Sequence, residues 1–552
     1  MGFLKSSRLS GLALAAFAAL ALAAAPADAG PRVQTDSGMV EGVTAPDGLN
    51  LFKGIPYAAP PNGPRRWRPP SLPAPWTGVR PAVEFAPACM QPPSAPGGLY
   101  SDDPPRMNED CLYLNVWSPA AAKGAPVLVW IHGGAFTYEN LASPLYDGAA
   151  LAKRGVVVVT LNFRQGILGF LAHPDLSTES PRHVSGNYGL MDQMAALLWV
   201  RTNIAAFGGD PSNVTIAGES AGGLSVVDLV ASPAARGLFA KAIAQSSYLV
   251  STPELHRRRF GQPSAEGIGA TFAQALGATS IDQLRQMDAG DLINRSAAFG
   301  YGALPTVDGW ILPKQLVETF DAGEQAPVPL LVGFNSGETR SLRVLLPPVP
   351  KSAADYEQQV RAKFGDLSDA YLKLYPSSDV DGSVVAAGRD GLYGWSAERL
   401  AVKQTALGQP AYLYLFDHGY PAEGAALKAF HGSEIPFMFG IVGAGGPLTK
   451  TWLAPPKDAM EAALSTAMVD YWTSFARTGS PVSDGNPAWK PFADGGAYMA
   501  FRDKPEASSD LMPGMYTLTE ELIARRRAAG NQPWFANIGL ATPKVPPPAK
   551  TN

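Results

Sequence analysis

The sequence predicts an α/β chain with a mostly parallel central sheet, helices on both faces and large pocket-forming insertions. Three observations predict it. Short continuous apolar runs recur at Val127–Ile131, Val156–Leu161, Val214–Ala217, Val328–Val332 and Tyr412–Phe416, as strands covered on both faces require. Segments with helical spacing separate several of these runs, the alternation expected of such a sheet. At Gly218-Glu219-Ser220-Ala221-Gly222 one run turns sharply into the helix-like Gly223–Val230, giving strand, turn and helix with a serine at the apex.

From the N-terminus, residues 1–29 carry Lys5 and Arg8, an apolar stretch from Gly11 to Ala25, and Ala27-Asp28-Ala29. A basic start, a short apolar run and a small-x-small site predict a signal peptide cleaved before Gly30, hence an exported protein, periplasmic or secreted. About 15 apolar residues are too few to span a bilayer comfortably, and no later run is longer, so the mature form is expected to lack a membrane span. The two cysteines of an exported chain, Cys89 and Cys111, are read as one disulfide. Residues 30–540 contain no linker, repeat or charge block and are read as a single elaborated domain. Its 44 basic residues are scattered and its net charge is -4, a pattern that does not ask for nucleic acid. No cofactor or metal is expected, and His-Glu-x-x-His is absent. A monomer or weak homo-oligomer is expected.

Phe260–Tyr375 and Lys428–Pro455 are mixed and Pro/Gly-punctuated, as insertions that shape a pocket tend to be. Met460, Leu464, Met468, Tyr471, Trp472 and Phe475 fall on one helical stripe, read as core, with Gly479 and Pro481 ending the helix. Residues 541–552 read as an extended or disordered Pro-rich tail.

A chain with 57 glycines would show roughly 0.3 Gly-x-Ser-x-Gly matches by chance, so the pentapeptide matters through its flanks. There the turn pushes the Ser220 hydroxyl out of the sheet. A serine hydroxyl is a poor nucleophile unless a base takes its proton and a carboxylate orients that base. The histidines are His132, His173, His183, His256, His418 and His431. In such folds the base follows the serine and the acid. His132, His173 and His183 precede Ser220, and His256 sits in a charged run, which leaves His418 and His431. Glu338, shortly after the Val328–Val332 strand, is the first candidate acid, with Asp308 and Asp417 as competitors. Gly133 and Gly134, after the first strand, and Ala221, after the serine, can point backbone N–H groups at a developing oxyanion.

Further stretches carry a family resemblance: Phe52–Ala58, Glu109–Asn115, His132–Phe136, Gly186–Gln193 and Phe207–Pro211, with the elbow and the Glu338 and His431 loops. From about Gly38 to Pro487 the chain resembles the type B carboxylesterases, the family of bacterial para-nitrobenzyl-type esterases and animal carboxylesterases and cholinesterases. The resemblance implies an α/β-hydrolase fold, Ser220 as nucleophile, Glu338 as acid and His431 as base. It also implies Gly133, Gly134 and Ala221 as oxyanion donors, a Cys89–Cys111 disulfide, and hydrolysis of a small-molecule carboxylic ester through an acyl-enzyme. Arg164, Asp192 and Glu219 resemble the family's buried charge network. Two departures bear on pocket shape. Thr137-Tyr138-Glu139-Asn140 stands where a glycine is usual, and Asn162-Phe163-Arg164-Gln165-Gly166 has Gln165 where leucine is usual.

The loop between the cysteines offers Tyr100 but no tryptophan, against the aromatic face that choline esters need. Gly169–Gly189 resembles proteobacterial members, among them fumonisin-type esterases that cleave tricarballylate esters. Short aliphatic or aryl esters are the default expectation, and a polyacid ester such as these is the alternative. Some relatives of the fold are adhesion proteins that lost the triad; here all three members are present.

Overall fold

The computed structural model describes residues 30–94, 97–101, 103–420, 426–442, 448–535 and 539–548; residues 1–29, expected to be a signal peptide, lie outside them. Eleven of the strands among the described residues share one sheet: β1 (Val43–Thr44), β2 (Leu49–Pro56), β3 (Tyr113–Pro119), β4 (Ala125–Ile131), β5 (Val157–Leu161), β6 (Gly209–Glu219), β7 (Lys241–Gln245), β8 (Leu330–Asn335), β9 (Ala411–Phe416), β10 (Ala497–Phe501) and β11 (Pro505–Ser509). Their order is β11-β10-β9-β8-β7-β6-β4-β5-β3-β2-β1. The central pairs from β5 through β10 are parallel, and the pairs at both ends of the sheet are antiparallel. Arg32–Gln34, Met39–Glu41 and Val79–Pro81 form a separate small sheet.

The parallel strands are apolar throughout because both faces are covered. Along β4 the side chains alternate: Val127, Val129 and Ile131 enter one core cluster, Leu128 and Trp130 the other. The first cluster is covered by the helices α1 (Tyr188–Asn203), α2 (Ala221–Ala231) and α3 (Trp395–Ala406), the second by α4 (Ala459–Thr478). In α4 the stripe Leu464, Met468, Tyr471, Trp472 and Phe475 is buried as expected. Met460 is exposed, because it sits in the first turn beside the Asp458 N-cap, beyond the reach of the sheet. Gly479 takes the left-handed C-cap.

The chain leaves β4 for β5 on one side and returns to β6 on the other. This reversal of strand order opens a crevice at the carboxyl ends of the strands, where β4 ends at the Gly133 turn and β6 at Ser220. The C-terminal segment is extended through Pro548 but not free. Val545, its one branched apolar side chain, is buried in the cluster that holds Tyr371 and Leu518, and its N–H donates to the Lys363 carbonyl. Residues 549–552 lie outside the described part. Among the described residues no helix is long and apolar enough to cross a membrane.

Candidate active site

Ser220 occupies the turn between β6 and α2 with φ 57° and ψ -122°, a region that side chains other than glycine's rarely enter. The surroundings hold it there: its N–H donates to the Gln245 carbonyl of β7, and its own carbonyl accepts from Leu224. A Cβ on Gly222 would lie 2.1 Å from the Ile131 carbonyl, and one on Gly218 2.5 Å from Gly222. The glycines of the pentapeptide are therefore demanded by close packing of strand on helix.

The structure brings Ser220, His431 and Glu338 together from three separate segments. Ser220 Oγ is 2.8 Å from His431 Nε2, and Nδ1 of the same ring is hydrogen-bonded to Glu338 Oε2. Glu338 is fully buried just beyond β8, and its Oε1 accepts from the Asn335 N–H at 2.8 Å. With Nδ1–H donated to that carboxylate, Nε2 is the nitrogen left to take the serine proton.

The competing candidates lie elsewhere. His418 is buried against Glu461, 3.0 Å away. Asp308 is tied to Asn187 and to the N–H groups of Trp310 and Leu312. Asp417 pairs with Arg502 at the surface. His132 stacks on Phe163 beside the Gly133–Gly134 turn, and burial lowers its pKa to about 4, which favours the neutral ring.

Gly133 approaches Ser220 so closely that a Cβ there would stand 3.3 Å from that of Ser220; one on Gly134, where φ is +84°, would stand 2.2 Å from the Tyr138 carbonyl. The turn is thus packed on Tyr138 and Glu139. The two family departures meet at this point. Gln165 Nε2 donates to the Glu139 carbonyl at 3.0 Å, Gln91 Nε2 does the same at 3.0 Å, and the Glu139 N–H returns a bond to Gln91 Oε1.

Arg164 and Asp192 form the expected buried ion pair, 2.7 Å apart. Glu219 does not join them. Its Oε1 lies 3.2 Å from His431 Nε2, because in β6 the residue before the apex points toward the ring. Beneath lies Glu434, fully buried, accepting from Gln245 at 3.1 Å and from Asn335 at 2.6 Å. Burial opposes charge on His431, yet Glu219 and Glu338 outweigh it and raise the ring above its usual 6.5; burial likewise pushes Glu219 well up, and Glu434 up to about 7. The shifts differ in meaning: burial disfavours charge on Glu219 and Glu434, whereas the neighbouring carboxylates favour the charged form of His431.

Around the ring stand Tyr100, Tyr393 and Trp452, with Tyr393 5.3 Å from His431 and Tyr100 6.0 Å from Trp452, centroid to centroid. Tyr100 comes from the loop closed by the Cys89–Cys111 disulfide. Glu434 was legible as the third residue after His431, and Ser341, which accepts from the His431 N–H, as the third after Glu338. Neither spacing signals a role by itself.

Residues 29–517 match the model of the carboxylesterase family. The fumonisin B1 esterase of Sphingopyxis macrogoltabida is 39% identical over 481 residues, covering 85% of each chain. The para-nitrobenzyl esterase of Bacillus subtilis is 36% identical over 470 residues, covering 82% of this chain and 91% of its own. A solved PNB esterase has the same fold, with a TM-score of 0.76 at 33% identity, over 88% of this chain and 99% of its own.

Proposed function

Because the chain belongs to the carboxylesterase family and is a carboxylic ester hydrolase, we propose that it is an exported serine esterase acting through an acyl-enzyme on Ser220. The observation that carries this reading is the 2.8 Å approach of Ser220 Oγ to His431 Nε2, with Glu338 on the far nitrogen.

His431 Nε2 takes the hydroxyl proton as Ser220 Oγ attacks the ester carbonyl carbon. The carbonyl π pair moves to oxygen, and the oxyanion faces the N–H groups of Gly133, Gly134 and Ala221. Collapse breaks the acyl–oxygen bond, and the alcohol leaves with the proton held by His431. Water then gives its proton to His431, attacks the acyl-enzyme and releases the acid, returning the proton to Ser220. Each oxyanion donor of this kind is worth roughly 10²- to 10³-fold in rate.

The aromatic side chains around the ring support short aliphatic or aryl esters as substrates. Similarity to a fumonisin B1 esterase supports a second reading, an ester of a polyacid. Export rests on the basic and apolar pattern of residues 1–29, and N-terminal sequencing of the mature protein checks it. The reaction itself is tested by pre-steady-state hydrolysis of p-nitrophenyl esters beside a panel varied separately in acid and alcohol. A burst of about one p-nitrophenolate per site is expected wherever deacylation is slower than acylation. A polyacid ester hydrolysed far faster than every monoacid ester would replace the default substrate class.

A further inference from the structure

The backbone of His431 is held at both of its polar groups. Its N–H donates to Ser341 Oγ at 3.3 Å, and its carbonyl accepts from the Tyr100 hydroxyl at 2.8 Å. Tyr100 Oη is also 2.8 Å from Ser341 Oγ. The Tyr100 hydroxyl faces two acceptors, the His431 carbonyl and Ser341 Oγ, while the Ser341 hydroxyl donates to the Glu338 carbonyl at 3.3 Å. Three hydroxyl-mediated contacts thus close a ring around the backbone of one residue, His431.

The two residues come from separate segments. Ser341 ends the short helix Glu338–Ser341, which begins with the residue bonded to the imidazole. Tyr100 belongs to the loop between the disulfide-bonded cysteines, a loop held at further points. Ser94 bonds Asp103 Oδ1 through its N–H at 2.8 Å and its hydroxyl at 2.7 Å, and Thr451 Oγ1 donates to the Leu99 carbonyl at 3.0 Å. The loop therefore delivers the tyrosine hydroxyl to a fixed place. The tyrosine ring stands edge-on to the imidazole, 6.5 Å between centroids, and to Trp452.

A histidine on a loop needs such a clamp. Glu338 fixes the ring's rotation, but the ring's distance from Ser220 is set by where the His431 backbone lies. A shift of about 1 Å in a reacting group can cost about 10²-fold in rate. We infer that Tyr100 and Ser341 are positioning residues that clamp the His431 backbone and so set the distance from Nε2 to Ser220 Oγ. This rests on the reading of His431 as the general base.

The test compares Tyr100→Phe, Ser341→Ala, their double variant and Ser341→Thr with the parent in the full-length mature protein. Steady-state hydrolysis of a small p-nitrophenyl ester is measured per fluorophosphonate-titrated site, and His431→Ala is run beside them. Phenylalanine keeps the ring wall and removes only the hydroxyl. The expected result is a kcat roughly tenfold to a hundredfold lower in each single variant, with KM within about twofold of the parent. The double variant loses little more than either single one, since both break one clamp, and Ser341→Thr recovers most of the rate. If Tyr100→Phe and Ser341→Ala keep the parent's kcat beside an inactive His431→Ala, the clamp is overturned while the base assignment stands. A loss confined to KM also overturns it, assigning Tyr100 to the pocket wall alone. Parent-like turnover by His431→Ala overturns the base assignment and the clamp with it.

Discussion

The Glu219 carboxylate lies 3.2 Å from His431 Nε2, the same nitrogen that stands 2.8 Å from Ser220 Oγ. A carboxylate there favours the protonated ring. With His431 as the proposed base, which works only when neutral, and its pKa raised above 6.5, activity is expected to be gained on the alkaline side of that value. The acid limb of kcat/KM is therefore expected above pH 6.5. In Glu219→Gln that limb is expected to move down by about one pH unit. An unmoved limb would remove Glu219 from the electrostatics of the base.

Gln165→Leu installs the side chain usual in the family at a position where this chain uses an amide. The Glu139 carbonyl then loses one of its two side-chain donors, Gln165 and Gln91, and the turn carrying Gly133 and Gly134 loses part of its support. A kcat lower by about tenfold with KM little changed is expected if the turn presents oxyanion donors. Parent-like kcat in a folded variant would show that Gln91 alone holds the turn.

Replacing Cys89 and Cys111 by serine opens a loop with a sequence separation of 22. On the chain-entropy account this costs about 3 kcal/mol of stability. Thermal unfolding of the double variant should fall by several degrees, and kcat should fall with it, because Tyr100 rides on this loop. An unchanged kcat below the unfolding range would uncouple the loop from His431.

His418 supplies a stability prediction separate from catalysis. Burial alone would lower its pKa, but the hydrogen bond and charge of Glu461, joined by Asp503, raise it. A raised folded-state pKa contributes stability that is fully present below the unfolded value of about 6.5 and is lost as pH rises through the folded value. The parent's melting temperature should fall more steeply above pH 6.5 than that of His418→Gln. Parallel curves would show that the pair adds nothing that depends on pH.

Much of this architecture was legible because local signals agree with the fold. The five apolar runs became strands of the parallel core, and the glycines around Ser220 are those that backbone contact forbids replacing. The antiparallel strands at the sheet ends were not read, since half-exposed runs such as Leu49–Pro56 lack a continuous apolar pattern. At the site, chain order left His418 beside His431, and Asp308 and Asp417 beside Glu338; the family resemblance pointed to Glu338 and His431, which do meet. Glu219 was misplaced with Arg164 and Asp192, because which way the residue before the apex points depends on the strained turn rather than on spacing. That Tyr100 meets Ser341 could not be read: 241 residues separate them, and only the tertiary fold closes that distance.

The central claim is that Ser220 is the nucleophile. Reaction of the mature protein with a fluorophosphonate, followed by peptide mapping, tests it most directly. The account predicts one phosphonyl adduct on the Ser220 peptide, and neither adduct nor turnover in a Ser220→Ala variant that unfolds at the parent's temperature. An adduct on a different serine, or ester hydrolysis by Ser220→Ala at the parent's rate, would contradict it.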